Sequence, residues 1–244
     1  MKEDAVDFAV VHARQLVRVG EGSGGPRRGA EQGRLDIVAD GALVASRGLI
    51  LAVGETSDIR RRYSLEGARV IDAGGRVVLP GLVDAHTHPL FAGSRHAEFA
   101  ERLGGAQMAE VEARGGGIWW SVQRTRQAPA DELRSLLRAH LGDVLSCGTT
   151  TVEAKSGYGQ TTETELQHLA LIDEVSRSTP LNVVPTFLGA HLVPGEQPSA
   201  EAYTDLVVED MIPRVADQGV ARFCDATCGS SFTPALAERV LTQA

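Results

Sequence analysis

The fold class is decided by the stretch VVLPGLVDAHTH, residues 77–88. Residues 77–84 are a nearly continuous apolar run, which is typical of a strand buried on both faces in a parallel sheet. His86 and His88 follow at the end of this run. The chain changes character here, from a small β-rich portion over residues 1–77 to a region of alternating helices and strands over residues 78–244.

Helices and strands alternate after this stretch. Apolar residues at helical spacing predict helices over 130–145, 162–176 and 203–215, and another from residue 234. Apolar or β-branched segments predict strands over 149–154, 181–188 and 221–228. Such alternation favours βα units around a parallel sheet, in a (β/α)8 barrel or an open doubly wound sheet. Since no glycine-rich phosphate loop follows a strand, the dinucleotide-binding version is disfavoured.

The length of the second region predicts an incomplete barrel. A (β/α)8 barrel typically takes about 250 residues, whereas residues 78–244 have room for four or five strands. An unfinished barrel has an unpaired sheet edge, which invites association. We therefore expect a homodimer or a complementing chain as a partner.

The first region has the pattern of short strands joined by turns. Apolar segments are separated by Asp40-Gly41 and by Arg47-Gly48, and both dipeptides predict hairpin turns. Residues 20–33 are rich in glycine and charge, which predicts a loop.

Composition excludes several classes of protein. The 244 residues carry 24 basic and 32 acidic side chains, a net charge of −8, which argues against nucleic acid or an anionic membrane as partner. A transmembrane helix needs about 18 consecutive apolar residues, and the sequence has no such run. Glu3, Asp4 and Asp7 are unlike a signal peptide, so we expect a cytoplasmic protein. Its three cysteines do not form a disulfide framework.

His86 and His88 are the strongest chemical signal. Side chains two apart on a strand share a face, with Cβ atoms about 7 Å apart. Two imidazoles at that spacing can bind one metal ion, and the carboxyl end of a barrel strand is where catalytic groups gather. The alternative is a pair of hydrogen-bonded histidines at a strand end.

The other candidate residues also follow predicted strands or lie near the two histidines. His191 follows the strand over 181–188, and the alternative is a surface loop histidine. Lys155 is predicted to bind an anion, to bridge two metals if carboxylated, or to form an ion pair with Glu153 or another acid. Tyr158 lies in a glycine-flanked loop, where its hydroxyl can reach a ligand or its ring can pack. Arg95 suits bidentate binding of a carboxylate, with a surface arginine as the alternative.

The remaining histidines have weaker claims. His140 and His168 lie on predicted helices, where we expect them to be solvated. His96 lies near the two candidate ligands in sequence, but a plain loop role is equally compatible with its position.

The motifs resemble those of a known family. PGLVDAHTH (80–88) followed by GSR (93–95) resembles the amidohydrolase superfamily. GGGI (115–118), VEAKSGYG (152–159), ETEL (163–166), PTFLGAH (185–191) and FCD (223–225) occur in the order found in the imidazolonepropionase family. The resemblance covers nearly the whole chain.

The resemblance implies a composite β-sandwich and a (β/α)8 barrel, one zinc or iron ion, and hydrolysis of 4-imidazolone-5-propanoate to N-formimidoyl-L-glutamate. It implies that His86 and His88 bind the metal and that Arg95, Tyr158 and His191 contact the substrate, His191 also being catalytic. The family's other ligands, a histidine and an aspartate, and a catalytic glutamate would lie beyond residue 244. The family has a tyrosine where this chain has Met108, so one hydroxyl contact is lost.

Two other functions stay open. One is an amidohydrolase or aminohydrolase acting on a purine, pyrimidine or triazine ring, against which the GSR and KSGYG segments argue. The other is a catalytically inert fragment that binds a metal or a partner, because two histidines alone make a weak site.

Overall fold

The computed structural model describes residues 5–19, 27–229 and 231–244. Contacts within the chain divide it into two compact units, Met1–Pro80 and Gly81–Ala244. Residues 20–26 of the predicted loop lie outside the described ranges, as do the acidic residues Glu3 and Asp4. The end of that predicted loop, Gly29–Gly33, forms a 3-10 helix.

The described residues of the first unit form one five-stranded sheet and one α-helix. The elements are β1 (Phe8–Arg18), β2 (Asp36–Ser46), β3 (Leu49–Glu55), α1 (Thr56–Arg62), β4 (Arg69–Asp72) and β5 (Val77–Val78). The strand order is β3-β2-β1-β4, and β5 also pairs with β1. Strand β1 is antiparallel to β2 and parallel to β4 and β5. The first unit is therefore a mixed sheet centred on β1 and β2.

One of the two predicted hairpin turns is confirmed and the other is wrong. Arg47 and Gly48 connect β2 to β3, both with positive φ (51° and 78°). Asp40 and Gly41 instead lie within β2. A Cβ on Gly41 would come within 2.3 Å of the Leu16 Cβ on β1. This glycine therefore permits close approach of two strands, a requirement that the dipeptide pattern does not distinguish from a turn.

The second unit is built on a four-stranded parallel sheet in the order β6-β7-β8-β9. Its strands are β6 (Leu82–Asp84), β7 (Thr149–Lys155), β8 (Asn182–Ala190) and β9 (Phe223–Ala226). Helices α2 (His96–Leu103), α3 (Met108–Ala113), α4 (Ile118–Gln127) and α5 (Ala130–Ser146) precede β7. Later helices are α6 (Thr162–Ser176), α7 (Ala200–Leu206), α8 (Ile212–Gln218) and α9 (Pro234–Gln243). A π-helical segment, Val207–Met211, joins α7 to α8.

The apolar run over residues 77–84 does not form a single buried strand. Its first part is β5 of the first sheet, and its last part is β6 of the second sheet. In the described chain β6 pairs only with β7, and Val83 is 68% exposed. The prediction of a strand buried on both faces is therefore wrong. Pro80 and Gly81 divide the run, and β6 lies at a sheet edge.

Helix α6 begins and ends at the predicted residues, and its packing explains why. The Thr161 side chain accepts a hydrogen bond from the Thr164 amide and caps the helix. Leu171, Ile172 and Val175 pack into a core shared with α5 and β7. The same packing buries His168, which is 1% exposed. The prediction of a solvated His168 is wrong, because α6 packs against the sheet and also against α5 and α8.

We predict that His168 makes the fold sensitive to acid. Burial lowers the pKa of His168 from 6.5 to about 4. As the pH falls, the unfolded chain therefore takes up a proton at His168 at a higher pH than the folded chain does. The free energy of unfolding consequently decreases as the pH drops from about 6.5 toward 4. Between pH 7 and about pH 4.5 this residue should account for a loss of roughly 2–3 kcal/mol.

Urea unfolding of the wild type and His168→Gln at both pH values measures this contribution. The variant should lose less stability in acid than the wild type by roughly that amount. His96→Gln is the matched control, since His96 is exposed, and it should behave as the wild type. Equal acid sensitivity of wild type and His168→Gln would contradict the prediction.

Candidate active site

Three of the predicted site residues meet at the carboxyl end of the parallel sheet. His88, Tyr158 and His191 follow β6, β7 and β8 in turn. The rings of His88 and His191 are stacked, with centroids 4.8 Å apart and planes inclined by 12°. The Tyr158 ring centroid lies 4.9 Å from that of His88 and 5.4 Å from that of His191. The three side chains therefore form one aromatic cluster.

His88 is held as a neutral imidazole with a free ring nitrogen. Burial, and then electrostatic repulsion from His191, Lys155 and His86, lower its pKa to about 3, and the Ser156 backbone opposes this to a smaller extent. Its Nδ1 atom is buried and has no hydrogen-bond partner in the described part of the chain. An uncompensated buried nitrogen is unfavourable, so this atom is suited to a ligand.

His86 lies close to His88, but not on a strand. Strand β6 ends at Asp84, whose side chain accepts a hydrogen bond from the His86 amide at 3.3 Å, and His86 lies in an exposed bend. The prediction that His86 and His88 share one face of a strand is therefore wrong. His86 is nevertheless near enough for its charge to lower the pKa values of His88 and Asp225.

The imidazole of His191 is oriented by the loop after β7. Its Nδ1 atom lies 3.1 Å from the Gly157 carbonyl oxygen, which accepts the ring N–H. Burial lowers the pKa of His191, and the hydrogen bond to Gly157 opposes this effect. In the neutral ring, the other nitrogen, Nε2, is consequently a hydrogen-bond acceptor.

Tyr158 and Arg95 are electrostatically coupled. Burial raises the pKa of the Tyr158 hydroxyl, and the positive charge of Arg95 lowers it to a smaller extent. The hydroxyl is therefore protonated at neutral pH and can donate a hydrogen bond. Arg95 is the exposed residue that precedes α2. A hydroxyl donor thus lies beside the two imidazoles, and Arg95 is near enough to that hydroxyl for its charge to lower the pKa.

Lys155 is the centre of a buried ion-pair network. It is 3% exposed, and its ammonium nitrogen lies 2.6 Å from an Asp225 carboxylate oxygen and 3.1 Å from Glu153. Burial lowers its pKa, but the hydrogen bonds to Asp225 and Glu153 outweigh this and raise the pKa above 10.5. Thr186 also donates to Glu153 at 2.7 Å. Of the three predicted roles, the structure favours the ion pair, since carboxylation requires the neutral amine.

Contacts of two further residues, His140 and Glu165, hold the backbone next to the cluster. His140 was expected to be solvated, but its Nδ1 lies 2.8 Å from the Pro89 carbonyl oxygen and its ring stacks on Phe91 at 4.3 Å. The buried Glu165 carboxylate binds the loop that carries Tyr158. Neither contact has a local sequence signal, because each partner is distant in the chain or is a backbone group.

A complete metal centre is not formed by the described side chains alone. Within residues 5–19, 27–229 and 231–244, no three His, Cys, Asp or Glu side chains are grouped so as to hold a metal ion. The three cysteines are free thiols.

Among the helices of the described residues, none has the length and apolar character needed to span a membrane.

Comparison with known proteins identifies relatives across nearly the whole chain. An imidazolonepropionase from Solibacter usitatus is 47% identical over 98% of this chain and 57% of its own length. An imidazolonepropionase from Symbiobacterium thermophilum is 48% identical over 98% of this chain and 56% of its own length. The chain therefore spans little more than half the length of these relatives. A search of family models finds no match.

Solved structures share the fold at low sequence identity. Guanine deaminase from E. coli matches 96% of this chain and 50% of its own with a TM-score of 0.60 and 17% identity. An atrazine chlorohydrolase from Arthrobacter aurescens, complexed with zinc and atraton, matches 96% of this chain and 49% of its own with a TM-score of 0.58 and 16% identity. The chain thus shares an α/β fold with about half of each of these structures.

We predict that Lys155→Met destabilises the second unit by about 3 kcal/mol, because two carboxylates lose their buried counterion. Arg177→Met is the matched control. Arg177 pairs with Asp173 on an exposed helix surface, and such pairs contribute less than about 1 kcal/mol. Chemical denaturation measures both variants. A Lys155→Met variant no less stable than the control would contradict the network's role.

Proposed function

We infer that this chain, a relative of the imidazolonepropionases over nearly its whole length, contributes to a metal-dependent hydrolase of histidine degradation. The reaction is the opening of the ring of 4-imidazolone-5-propanoate to give N-formimidoyl-L-glutamate. The observation that carries this proposal is the convergence of His88, Tyr158 and His191 at the carboxyl end of the parallel sheet. Because the chain spans about half of each relative, the activity of the whole protein is part of the proposal.

The complete architecture to which the two units belong is part of the same proposal. We take residues 78–244 to be part of a (β/α)8 barrel and residues 1–77 to be part of a composite β-sandwich. The two outer strands of the parallel sheet support the first assignment. Val83 on β6 is 68% exposed and Phe223 on β9 is 64% exposed, as expected of apolar side chains that further strands would cover.

His86 and His88 are proposed to hold one metal ion, zinc or iron. The free, buried Nδ1 of His88 and its low pKa fit this role, since a ligand imidazole must be neutral. A bound divalent ion would supply Lewis-acid chemistry to the reaction. Further ligands are required, because two imidazoles alone make a weak site.

The other residues of the site are proposed to bind and orient the substrate. The Arg95 guanidinium pairs with the propanoate carboxylate and so fixes the position of the ring. The protonated Tyr158 hydroxyl donates a hydrogen bond. His191 presents Nε2 as an acceptor while neutral, and after taking up a proton it donates to the carbonyl oxygen as negative charge develops there.

We predict weak metal binding that depends on the two histidines. The chain alone should bind Zn²⁺, and His86→Ala/His88→Ala should weaken binding by more than about tenfold, since changes outside the ligand shell already cost that much. His96→Ala is the control, because His96 is exposed and its ring contacts Ser94. Titration calorimetry and elemental analysis measure binding. Equal affinity of the double variant and the control would contradict the assignment.

Turnover tests the function itself. We expect loss of 4-imidazolone-5-propanoate, followed spectrophotometrically, from the chain together with whatever polypeptide completes the site, and none from the 244-residue chain alone. Turnover of guanine or cytosine without turnover of the imidazolone would instead assign the chain to the aminohydrolases. Full activity of the isolated chain would show that the described site needs no further ligand.

We predict that Arg95→Met weakens binding of 4-imidazolone-5-propanoate by about tenfold to a hundredfold, because a charge-assisted pair is lost. Arg102→Met is the control, since Arg102 is exposed and lies in the last turn of α2, away from Arg95. Calorimetry with the substrate measures the effect. Unchanged affinity in Arg95→Met would show that the carboxylate of the substrate is bound by another residue.

A further inference from the structure

The Glu165 carboxylate is buried against the loop that follows β7. Glu165 is 0% exposed. One carboxylate oxygen, Oε1, accepts hydrogen bonds from the backbone amides of Gly159 at 2.7 Å and Gln160 at 2.8 Å. The other, Oε2, accepts the Gly157 amide at 2.9 Å. One side chain thus accepts hydrogen bonds from three backbone amides of this loop, at residues 157, 159 and 160.

The loop conformation depends on such an acceptor. Gly157 and Gln160 have positive φ angles of 112° and 61°, and the second is unfavourable for a residue with a Cβ. A Cβ at position 159 would lie 2.9 Å from Glu165 Oε1, so glycine lets the backbone reach the carboxylate. Buried amides that face inward need a partner, and Glu165 provides it.

The same loop carries the aromatic cluster. The Gly157 carbonyl oxygen accepts the Nδ1–H of His191, and a Cβ on Gly157 would lie 3.0 Å from that nitrogen. The next residue, Tyr158, packs against His88 and His191. A shift of this short segment would therefore move Tyr158 and change the orientation of His191 together.

We propose that Glu165 is a positioning residue: its buried carboxylate holds residues 157–160 in one conformation and thereby fixes Tyr158 and His191 beside His88. Glu165 acts through the loop and does not touch the substrate. The proposal rests on the proposed function for the identity of the substrate, whereas the loop geometry stands without it.

Glu165→Gln is the sharpest test, because it preserves shape and replaces one acceptor oxygen with an NH2 group. Whichever oxygen is lost, at least one of the three amides then faces a donor. Glu163→Gln is the matched control. Glu163 lies in the same helical turn but is exposed and pairs with Arg214 at 2.9 Å.

The measurement is NMR of the full 244-residue chain labelled with 15N, without metal or substrate. In Glu165→Gln, at least one amide of Gly157, Gly159 and Gln160 should exchange with solvent at least about tenfold faster, since leaving a buried amide without an acceptor costs about that factor. The 15N shifts of the His191 ring should change as its bond to Gly157 weakens. Glu163→Gln should match the wild type. Unchanged loop exchange and His191 shifts in Glu165→Gln would overturn the proposal.

A second measurement keeps the proposal testable if Glu165→Gln does not fold. In the wild type, the three amides should be protected from exchange although they lie in a loop. Ser156→Ala, which leaves the carboxylate in place, should keep most of this protection. Exchange in the wild type at the rate of an unstructured peptide would overturn the proposal. Neither result depends on turnover, so failure of the proposed function is seen separately, in the activity assay.

Discussion

The site depends on the register of β7 between its two parallel neighbours. The Lys155 amide donates to the Thr87 carbonyl oxygen on one side, and the Ser156 amide donates to Thr186 on the other, both at 3.0 Å. These bonds align the carboxyl ends of β6, β7 and β8 at one edge of the sheet. His88, Tyr158 and His191 come together because each lies a few residues after the end of its strand.

Buried ionisable side chains around the cluster are satisfied in two ways. Lys155 is paired with carboxylates from its own strand and from β9, and Glu165 is surrounded by backbone donors. Both arrangements satisfy the group within the protein and rigidify the sheet end. The imidazole of His88 differs, because its Nδ1 atom is buried without a partner in the described residues. This unpartnered nitrogen supports the proposal that His88 binds a ligand.

Sequence predictions that depend on interactions between neighbouring residues were accurate, and those that depend on contacts between distant residues were not. Helix α6 and strand β7 are predicted nearly to the residue, since periodicity, an N-cap and β-branched residues act locally. Residues 77–84 were wrongly predicted as one buried strand, because their division between two sheets depends on strand pairing far along the chain. His140 and His168 were wrongly placed in solvent for the same reason: what covers a helix is decided by other elements.

The sequence by itself determined the α/β class, the order of helices and strands from residue 130 onward, and the candidate residues of the site, whose proposed roles come from the family resemblance. These are properties of local pattern and side-chain type. Only the tertiary structure decided that Lys155 is an ion-paired ammonium, that His191 is oriented by Gly157, and that Glu165 binds the Tyr158 loop. Each depends on distances between groups on separate elements, which are set by the packing of the parallel sheet and its helices.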